Sequence, residues 1–304
     1  MKRIVSVSLG SSKRDHVAEA EFLGEKFILE RRGVDGDFRK AIALVSELDG
    51  QVDAFGMGGT DVWLNAGSRR FMIQSSLPIY RAARKSPMVD GSGVKNILQR
   101  NAVRYLRDEL KYPLQGKTAF IVCAVDGYGL ASEFDKSGCK LVMGDLIYTI
   151  GIPIKLTTVA GLDRVARALA PIVTRLPYSM LYPTGSKQEK RDPKKDKYAY
   201  LYNEADIISG DWHYIAKYMP DQLPGKIMIT NTITKDDRVL LKDAGLKLLV
   251  TTTPEFSGGR SFATNVIEGV LITLLGKKPE DVKPGDYEQM IDRLGLKPKA
   301  DALN

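Results

Sequence analysis

The stretch from Lys117 to Asp145 leaves this chain few possible folds, because its order is strand, glycine turn, helix, strand and acid. An apolar run at Thr118–Val125 precedes the turn Gly127-Tyr128-Gly129-Leu130-Ala131, and a second apolar run, Leu141–Met143, ends just before the acid. Glycines permit a tight turn and a close backbone approach, and the helix that follows offers free N–H groups at its start. The pattern predicts a βαβ unit that binds a dinucleotide.

This turn supplies the candidate cofactor contacts. We expect Gly127, Tyr128, Gly129 and Ala131 to border a pyrophosphate, and Asp145, 18 residues after Gly127, to bind the ribose of NAD. A carboxylate at that position repels a 2′-phosphate, so NAD is favoured, although NADP stays open. The third glycine of the usual fingerprint is missing, and the alternative is an ordinary turn between a strand and a helix.

The composition is that of a soluble globular protein with two domains: 304 residues, of which 43% are hydrophobic and 27% charged. No apolar run is long enough to span a membrane, and the first apolar run suits a strand better than a signal peptide. We therefore expect a cytoplasmic protein. Cys123 and Cys139 lack the spacing of metal ligands, and no metal site is predicted.

The net charge of +8 raises the question of nucleic-acid binding. Much of the excess lies in one lysine-rich run at residues 187–197, which is typical of a solvated loop. No zinc-finger, helix-turn-helix or RNA-recognition signature accompanies it, so nucleic acid is not the expected partner. The expected partner is a small anionic molecule. Formation of a homo-oligomer remains open.

The fold class that we predict is α/β. A Rossmann-like doubly wound parallel sheet is expected at residues 113–304, preceded by a smaller α/β domain at residues 1–112 that holds substrate and catalytic groups. The last helices are expected to pack back onto the first domain. Strands are expected at Ile4–Leu9, Phe27–Glu30, Val52–Phe55, Phe71–Gln74, Thr118–Val125, Lys140–Met143, Met180–Tyr182, Asp206–Ser209, Lys226–Thr230 and Lys247–Val250. Helices are expected at Phe38–Leu48, Val94–Leu110, Leu162–Leu176, Lys235–Ala244, Val266–Leu275 and Tyr287–Leu294, after which the tail should fray.

Polar residues that follow the strands of the second domain are the next candidates, because ligands bind at the carboxyl ends of parallel strands. Thr184, Asp211 and Thr252 are expected to border the cofactor. His213 follows one of these strands, and it is expected either to transfer a proton or to cap a helix.

Two further segments carry candidate chemistry. Lys85 or Lys95 can polarise a hydroxyl group while Asp90 exchanges its proton, or Asp90 can simply fill a turn. Arg260, Ser261 and Asn265 precede an apolar helix and suit a substrate carboxylate, or they form an ordinary loop and N-cap. His16 can face the cleft, or close the turn after the first strand.

Three phrases carry a family resemblance: VSVSLGSSKRDH, SPMVDGSGVK and TTTPEFSGGRSFATNVIEG. With the two-domain pattern, the chain resembles bacterial proteins described as quinate 5-dehydrogenases, within the shikimate/quinate dehydrogenase group. The resemblance implies NAD(P)-dependent oxidation of a cyclic polyhydroxy carboxylic acid such as quinate or shikimate. The N-V-T-x-P-x-K segment that supplies the catalytic lysine of shikimate dehydrogenases is missing, so no lysine is transferred by motif.

Two functions follow. The first is an NAD(P)-dependent oxidoreductase that acts on a small carboxylic acid, with the candidate residues in the roles given above. The alternative is a non-catalytic protein that binds a nucleotide or metabolite on the same fold, since one fold hosts many functions.

Overall fold

A computed structural model describes residues 1–66, 69–176, 195–231, 233–253, 255–256 and 260–304. The chain forms two units, each assembled from separate stretches. Unit 1 contains residues 1–95, 169–188 and 256–296, and unit 2 contains residues 96–168, 189–255 and 297–304. The sequence placed the boundary near residue 112, whereas the chain passes from unit 1 to unit 2 between Lys95 and Asn96, inside a continuous helix.

Unit 1 has a five-stranded sheet in the order β2-β3-β1-β4-β7. The strands β1, β3, β4 and β7 are parallel, and β2 pairs antiparallel with β3 at the edge. Two shorter strands, β5 and β6, form a separate hairpin. The strands are β1 (Lys2–Ser8), β2 (His16–Phe22), β3 (Glu25–Gly33), β4 (Ala54–Gly58), β5 (Trp63–Ala66), β6 (Arg69–Met72) and β7 (Met88–Val89).

Side chains of β1 alternate between the two faces of this sheet. Val5 and Val7 belong to a core with α1 (Phe38–Leu48), which Asp37 caps by accepting two backbone N–H groups. On the other face, α10 (Thr264–Leu275) lies so close to β1 that a Cβ on Gly269 would be 2.8 Å from Ile4. The remaining helices of this region are α2 (Leu77–Tyr80), α3 (Ser92–Arg104), which runs on as a π-helical turn at Tyr105–Glu109, and α11 (Pro284–Arg293).

Unit 2 is built on a six-stranded sheet in the order β15-β12-β11-β10-β8-β9, parallel except for β15. Its strands are β8 (Thr118–Ile121), β9 (Lys140–Met143), β10 (Ile207–Gly210), β11 (Ile227–Thr230), β12 (Leu248–Thr251) and β15 (Lys299–Ala302). Its helices are α4 (Tyr128–Lys136), α5 (Asp145–Ile150), α6 (Val159–Val173, whose last turn lies in unit 1), α7 (Ala199–Glu204), α8 (Trp212–Tyr218) and α9 (Lys235–Asp243). The short strands β13 (Glu255–Phe256) and β14 (Arg260–Ser261) pair with each other.

Both faces of the unit 2 sheet are covered. Ala119 and Ile121 of β8 face a core with α3, α4 and α6, whereas Phe120 and Val122 face a core with α5, α7, α8 and α9. Helices on both sides of a parallel sheet make this a doubly wound α/β fold, which confirms the predicted fold class.

Most predicted elements are present, with shifted ends. The helix at Phe38–Leu48 and the strand at Lys140–Met143 have the predicted bounds. The strand predicted at Met180–Tyr182 lies outside the described residues. The expectation of a fraying tail is wrong, because β15 pairs antiparallel with β12, which would otherwise be an open edge. Among the described residues, no helix is long and apolar enough to cross a membrane.

Candidate functional site

The order of the parallel strands nominates one place in each unit. The first strand of each parallel set, β1 or β8, lies between the second and the third, so the chain winds outward in both directions from it. Ligands of open α/β sheets bind at the carboxyl ends of the strands, where this reversal occurs. The candidate places are the carboxyl ends of β3, β1 and β4 in unit 1, and those of β9, β8 and β10 in unit 2. We name them the unit 1 edge and the unit 2 edge.

At the unit 2 edge, Asp145 holds the protein's own backbone. Its carboxylate accepts hydrogen bonds from the N–H groups of Ala124 (3.0 Å) and Val125 (2.8 Å), and the Sγ of Cys123 lies 3.7 Å away. The side chain is 6% exposed, and burial raises its pKa while these hydrogen bonds partly offset the rise. Asp145 therefore shapes the turn after β8, and in this structure both of its oxygens are engaged.

The glycine turn is also occupied by protein groups. Gly127 is the N-cap of α4, and the N–H of Gly129 donates to Asn96 Oδ1 (3.1 Å) and Gln99 Oε1 (3.0 Å) of α3. A Cβ on Gly129 would lie 2.8 Å from the Cβ of Gln99 and closer still to the carbonyl oxygen of Asn96. Gly129 thus permits two helices to pack.

The other two predicted contacts in this turn belong to the packing of α4. Tyr128 begins the helix, and its hydroxyl group donates to Asp163 Oδ2 at 3.4 Å. Ala131 is buried in the core between α4 and the sheet. Binding of NAD at this turn stays a prediction.

Three further predicted residues lie at the carboxyl ends of β10 and β12. Asp211 caps α8 by accepting from the N–H of His213 (2.9 Å), and it also accepts from the side chain of Asn231. His213 is the second residue of that helix. Thr252 is buried directly after β12, and its N–H donates to the carbonyl of Thr230 at 2.8 Å. These residues share one edge, as expected.

The predicted catalytic group of the first domain is spread out. Lys85 is exposed and precedes β7, whereas Asp90 follows β7, so the two residues lie at opposite ends of that strand. Asp90 accepts hydrogen bonds from the N–H groups of Val62 (2.7 Å), Trp63 (2.9 Å) and Ser92 (2.9 Å). Lys95 lies in the first turns of α3. Asp90 thus stabilises the backbone around Val62, Trp63 and Ser92 through hydrogen bonds.

The unit 1 edge contains a row of polar side chains that the sequence did not single out as a group. Arg31 of β3 lies opposite Ser6 of β1 on one side and opposite His16 of β2 on the other. Residues paired in this way present their side chains on the same face. Asn265, the second residue of α10, donates to Ser6 Oγ at 2.8 Å, so this face is the one that α10 covers.

Arg31 is the central residue of this row. Its guanidinium group donates through Nη1 to the carbonyl of Ser11 (2.9 Å) and to Asp15 (2.7 Å), and through Nη2 to Ser8 Oγ (3.0 Å). The side chain is 14% exposed. Burial and the charge of Arg14 lower its pKa, while Asp15 acts in the opposite direction. Arg31 is therefore a partly buried cation at the carboxyl edge of the unit 1 sheet.

Asn265 is the predicted substrate-binding residue whose side chain the structure describes. Asn265 is buried at the unit 1 edge, where Gly56 and Gly58 leave room for it: a Cβ on either glycine would be within 3.1 Å of its side chain. The backbones of Arg260 and Ser261 form β14, but their side chains lie outside the described part, as does the whole of Thr184.

Two residues of this region, which the prediction missed, have features in the sequence that could have identified them. Arg31 follows the apolar run Phe27–Leu29 in β3, and a charged side chain that is only 14% exposed is unusual in a strand. Glu268 is the single acid of α10, a helix that is otherwise almost wholly apolar. Its carboxylate is 4% exposed and accepts from the N–H of Gly91 and the hydroxyl of Tyr287.

Comparisons with known proteins concern the family and the fold. A model described as domain of unknown function (DUF8753) matches residues 3–90, and one described as domain of unknown function (DUF8754) matches residues 93–303. No curated protein matches this chain.

Several solved structures are similar to this chain at low identity. A solute-binding protein of an ABC transporter from Agrobacterium vitis, bound with alpha-D-tagatopyranose, is 10% identical, with 100% of this chain and 95% of that chain covered and a TM-score of 0.43. The glucose-galactose binding protein GanP from Geobacillus stearothermophilus is also 10% identical, with 99% and 97% covered and a TM-score of 0.40. A periplasmic ribose ABC transporter protein from Conexibacter woesei is 10% identical, with 96% and 97% covered and a TM-score of 0.40.

These findings correct the sequence-based function. The family models that match residues 3–90 and 93–303 describe domains of unknown function, and neither describes a quinate or shikimate dehydrogenase. The resemblance to quinate 5-dehydrogenases is therefore wrong, and so is the NAD(P)-dependent oxidoreductase that acts on quinate or shikimate. Because the second model covers more than two thirds of its 304 residues, this chain belongs to the family described as domain of unknown function (DUF8754).

Proposed function

We propose that this protein binds a small, uncharged, hydroxyl-bearing molecule at the unit 1 edge without transforming it chemically. The observation that carries the proposal is the unused hydrogen-bonding capacity of Arg31. Three of its five N–H groups are bonded, and those that remain, on Nε and Nη2, have no partner among the described residues. A partly buried guanidinium group with N–H groups left over favours a ligand that accepts hydrogen bonds.

His16 adds the opposite capacity. Its Nδ1 lies 3.0 Å from the carbonyl oxygen of Arg14, which can only accept, so Nδ1 carries the hydrogen. In the neutral ring Nε2 is then an acceptor, and this atom is buried without a partner in the described part of the chain. His16 is paired with Arg31 across the strands. A hydroxyl group can accept from Arg31 and donate to His16 at once.

The charges at this edge favour an uncharged ligand over the anionic one expected from the sequence. Arg31 is paired with Asp15, and Asp35 lies near enough to influence it, so these acids balance the positive charges of Arg31 and Arg14. A carboxylate or phosphate at Arg31 would therefore also meet the negative charges of Asp15 and Asp35.

The arrangement favours binding over catalysis because Asp90 and Asp145, two acids near the carboxyl ends of the strands, are engaged by the backbone. Asp90 holds three N–H groups and Asp145 holds two, which leaves neither free to move a proton. Lys85 lies at the other end of β7.

Calorimetric titration with D-galactose, D-ribose, xylitol and D-gluconate tests this proposal. We expect at least one of the three neutral compounds to bind more tightly than D-gluconate, and R31K to weaken that binding at least tenfold, because lysine keeps the charge but loses the planar fork. R32K is the matched control, since Arg32 is the next residue and bonds to Glu30. Its binding should stay within twofold of the native protein.

Three results would contradict the proposal: no binding of any neutral compound, equal losses in R31K and R32K, or tighter binding of D-gluconate. NMR spectra of the bound compound after prolonged incubation test the absence of catalysis. New resonances would show chemical conversion and would refute it.

A further inference from the structure

Glu268 is a buried acid behind the unit 1 edge. It lies on α10, and its side chain points away from water into contact with two other elements. Its Oε2 accepts from the N–H of Gly91 (2.6 Å), and its Oε1 accepts from the hydroxyl of Tyr287 on α11 (2.8 Å). This carboxylate therefore ties the turn after β7 and the helix α11 to α10.

The turn that Glu268 holds has no space to move. Gly91 has φ +92°, and a Cβ there would be 2.6 Å from Thr264 Oγ1 and 2.8 Å from the nitrogen of Asn265. A Cβ on Gly93 would collide with Glu268 and lie 2.8 Å from Tyr287. The turn is thus packed directly on the first turn of α10, which carries Asn265 to the edge.

Three charged or titratable groups face Glu268 from the packed elements. The carboxylate of Asp90 comes from the same turn as Gly91, the hydroxyl of Tyr287 comes from α11, and the guanidinium group of Arg70 comes from β6. Burial, followed by the charge of Asp90, raises the pKa of Glu268 to about 7, against the opposing effects of Tyr287, Gly91 and Arg70. The acid changes its charge in the neutral pH range.

Ionisation has a defined local consequence. It places a second negative charge beside Asp90 with little solvent to screen it, and both groups belong to the contact between the turn and α10. Asn265 is three residues before Glu268, on the same side of the helix. Repulsion at this contact acts on the segment that presents Asn265 to Ser6.

We propose that Glu268 is a positioning residue that makes the order of the 88–95 turn and of the first turn of α10, and with it ligand binding at the unit 1 edge, depend on pH. The effect on binding rests on the proposed function, whereas the effect on order does not. Neutral Glu268 keeps the contact closed, so both order and affinity are greater at pH 6 than at pH 8.

Hydrogen–deuterium exchange of the ligand-free protein tests the first half. Protection factors of peptides covering 88–95 and 262–268, corrected for the intrinsic rate, should fall at least fivefold from pH 6 to pH 8. E268Q should remove the fall, because glutamine keeps the shape without a charge: its oxygen accepts from the N–H of Gly91, and its amide group donates to the hydroxyl oxygen of Tyr287. Y287F should move the midpoint to higher pH, since the hydroxyl of Tyr287 favours the ionised form.

The matched control is E280Q, because Glu280 is an exposed acid of the same unit. A pH-independent native protein, a pH-dependent E268Q or a pH-independent E280Q would overturn the proposal. Titration with D-galactose, D-ribose and xylitol at both pH values tests the second half. For a compound that binds, we expect at least threefold tighter binding at pH 6 in the native protein and none of this difference in E268Q. Failure of all three compounds to bind would count against the proposed function, while the exchange result would still decide the role of Glu268.

Discussion

Replacement of Gly129 by alanine distinguishes a packing glycine from one that makes room for a phosphate. The α-carbon of Gly129 faces α3, where a Cβ would lie 2.8 Å from Gln99 Cβ, 2.9 Å from Asn96 Cα and closer to the carbonyl oxygen of Asn96. Two of these atoms are backbone, so a side-chain rotation cannot relieve the overlap. One of the two helices must shift.

The expected change in the free energy of unfolding is the sum of three effects. Overpacking against a fixed backbone costs about 3 kcal/mol, and weakened hydrogen bonds from the Gly129 N–H to Asn96 and Gln99 cost about 1 kcal/mol more. The greater helix propensity of alanine offsets about 1 kcal/mol of this loss. We expect G129A to lower the free energy of unfolding by about 3 kcal/mol.

Urea unfolding followed by circular dichroism measures this difference. The control is G285A, because Gly285 is the second residue of α11 and has nothing within 4 Å of the added Cβ. Its stability should change by less than about 1 kcal/mol. G129A that is as stable as the native protein would refute the packing argument. The predicted phosphate site would be supported instead if G129A, but not G285A, abolished a thermal shift with NAD while the stability of the variant stayed unchanged.

Two further predictions concern buried acids. The raised pKa of Glu268, about 7 against an ordinary 4.5, means that the folded protein holds this proton more tightly than the unfolded chain. Its stabilising contribution is therefore full below pH 4.5 and is lost as the pH rises to 7, by about 3 kcal/mol at 1.36 kcal/mol per pKa unit. Urea unfolding at pH 5 and pH 8 should show this loss in the native protein relative to E268Q, and parallel pH profiles would contradict it. D145N should cost about 2 kcal/mol, because an amide oxygen can replace one acceptor and leaves the N–H of Ala124 or Val125 unsatisfied. Urea unfolding measures this cost, D243N on the exposed end of α9 should show none, and equal stability of the two variants would be evidence against the role of Asp145.

The regular elements were the most predictable part of this protein. The helix at Phe38–Leu48 and the strand at Lys140–Met143 appear with the predicted bounds, because their apolar spacing records which face each one buries. The alternation of short apolar strands with helices likewise implied parallel sheets with covered faces. The strand predicted at Thr118–Val125 ends early, at Ile121, because Asp145 draws the following backbone N–H groups into a turn.

The candidate site was less predictable, because spacing along a chain does not reveal which partner reaches a polar group first. Gly127, Gly129 and Asp145 have the spacing of a dinucleotide site. In the structure, however, Gly129 is hydrogen-bonded to Asn96 and Gln99, and Asp145 is hydrogen-bonded to the turn after β8. Those partners come from other elements, and no local pattern indicates that they arrive there.

Local sequence therefore established the elements, their type and the α/β class, since these depend on the order and periodicity of apolar side chains. Long-range packing established the site. Arg31 joins His16 and Ser6 only when three strands align, and Glu268 meets Gly91 across 177 residues of chain. The pKa of a buried charged group depends on its neighbours in space, and these neighbours are set when the sheet and α10 pack together.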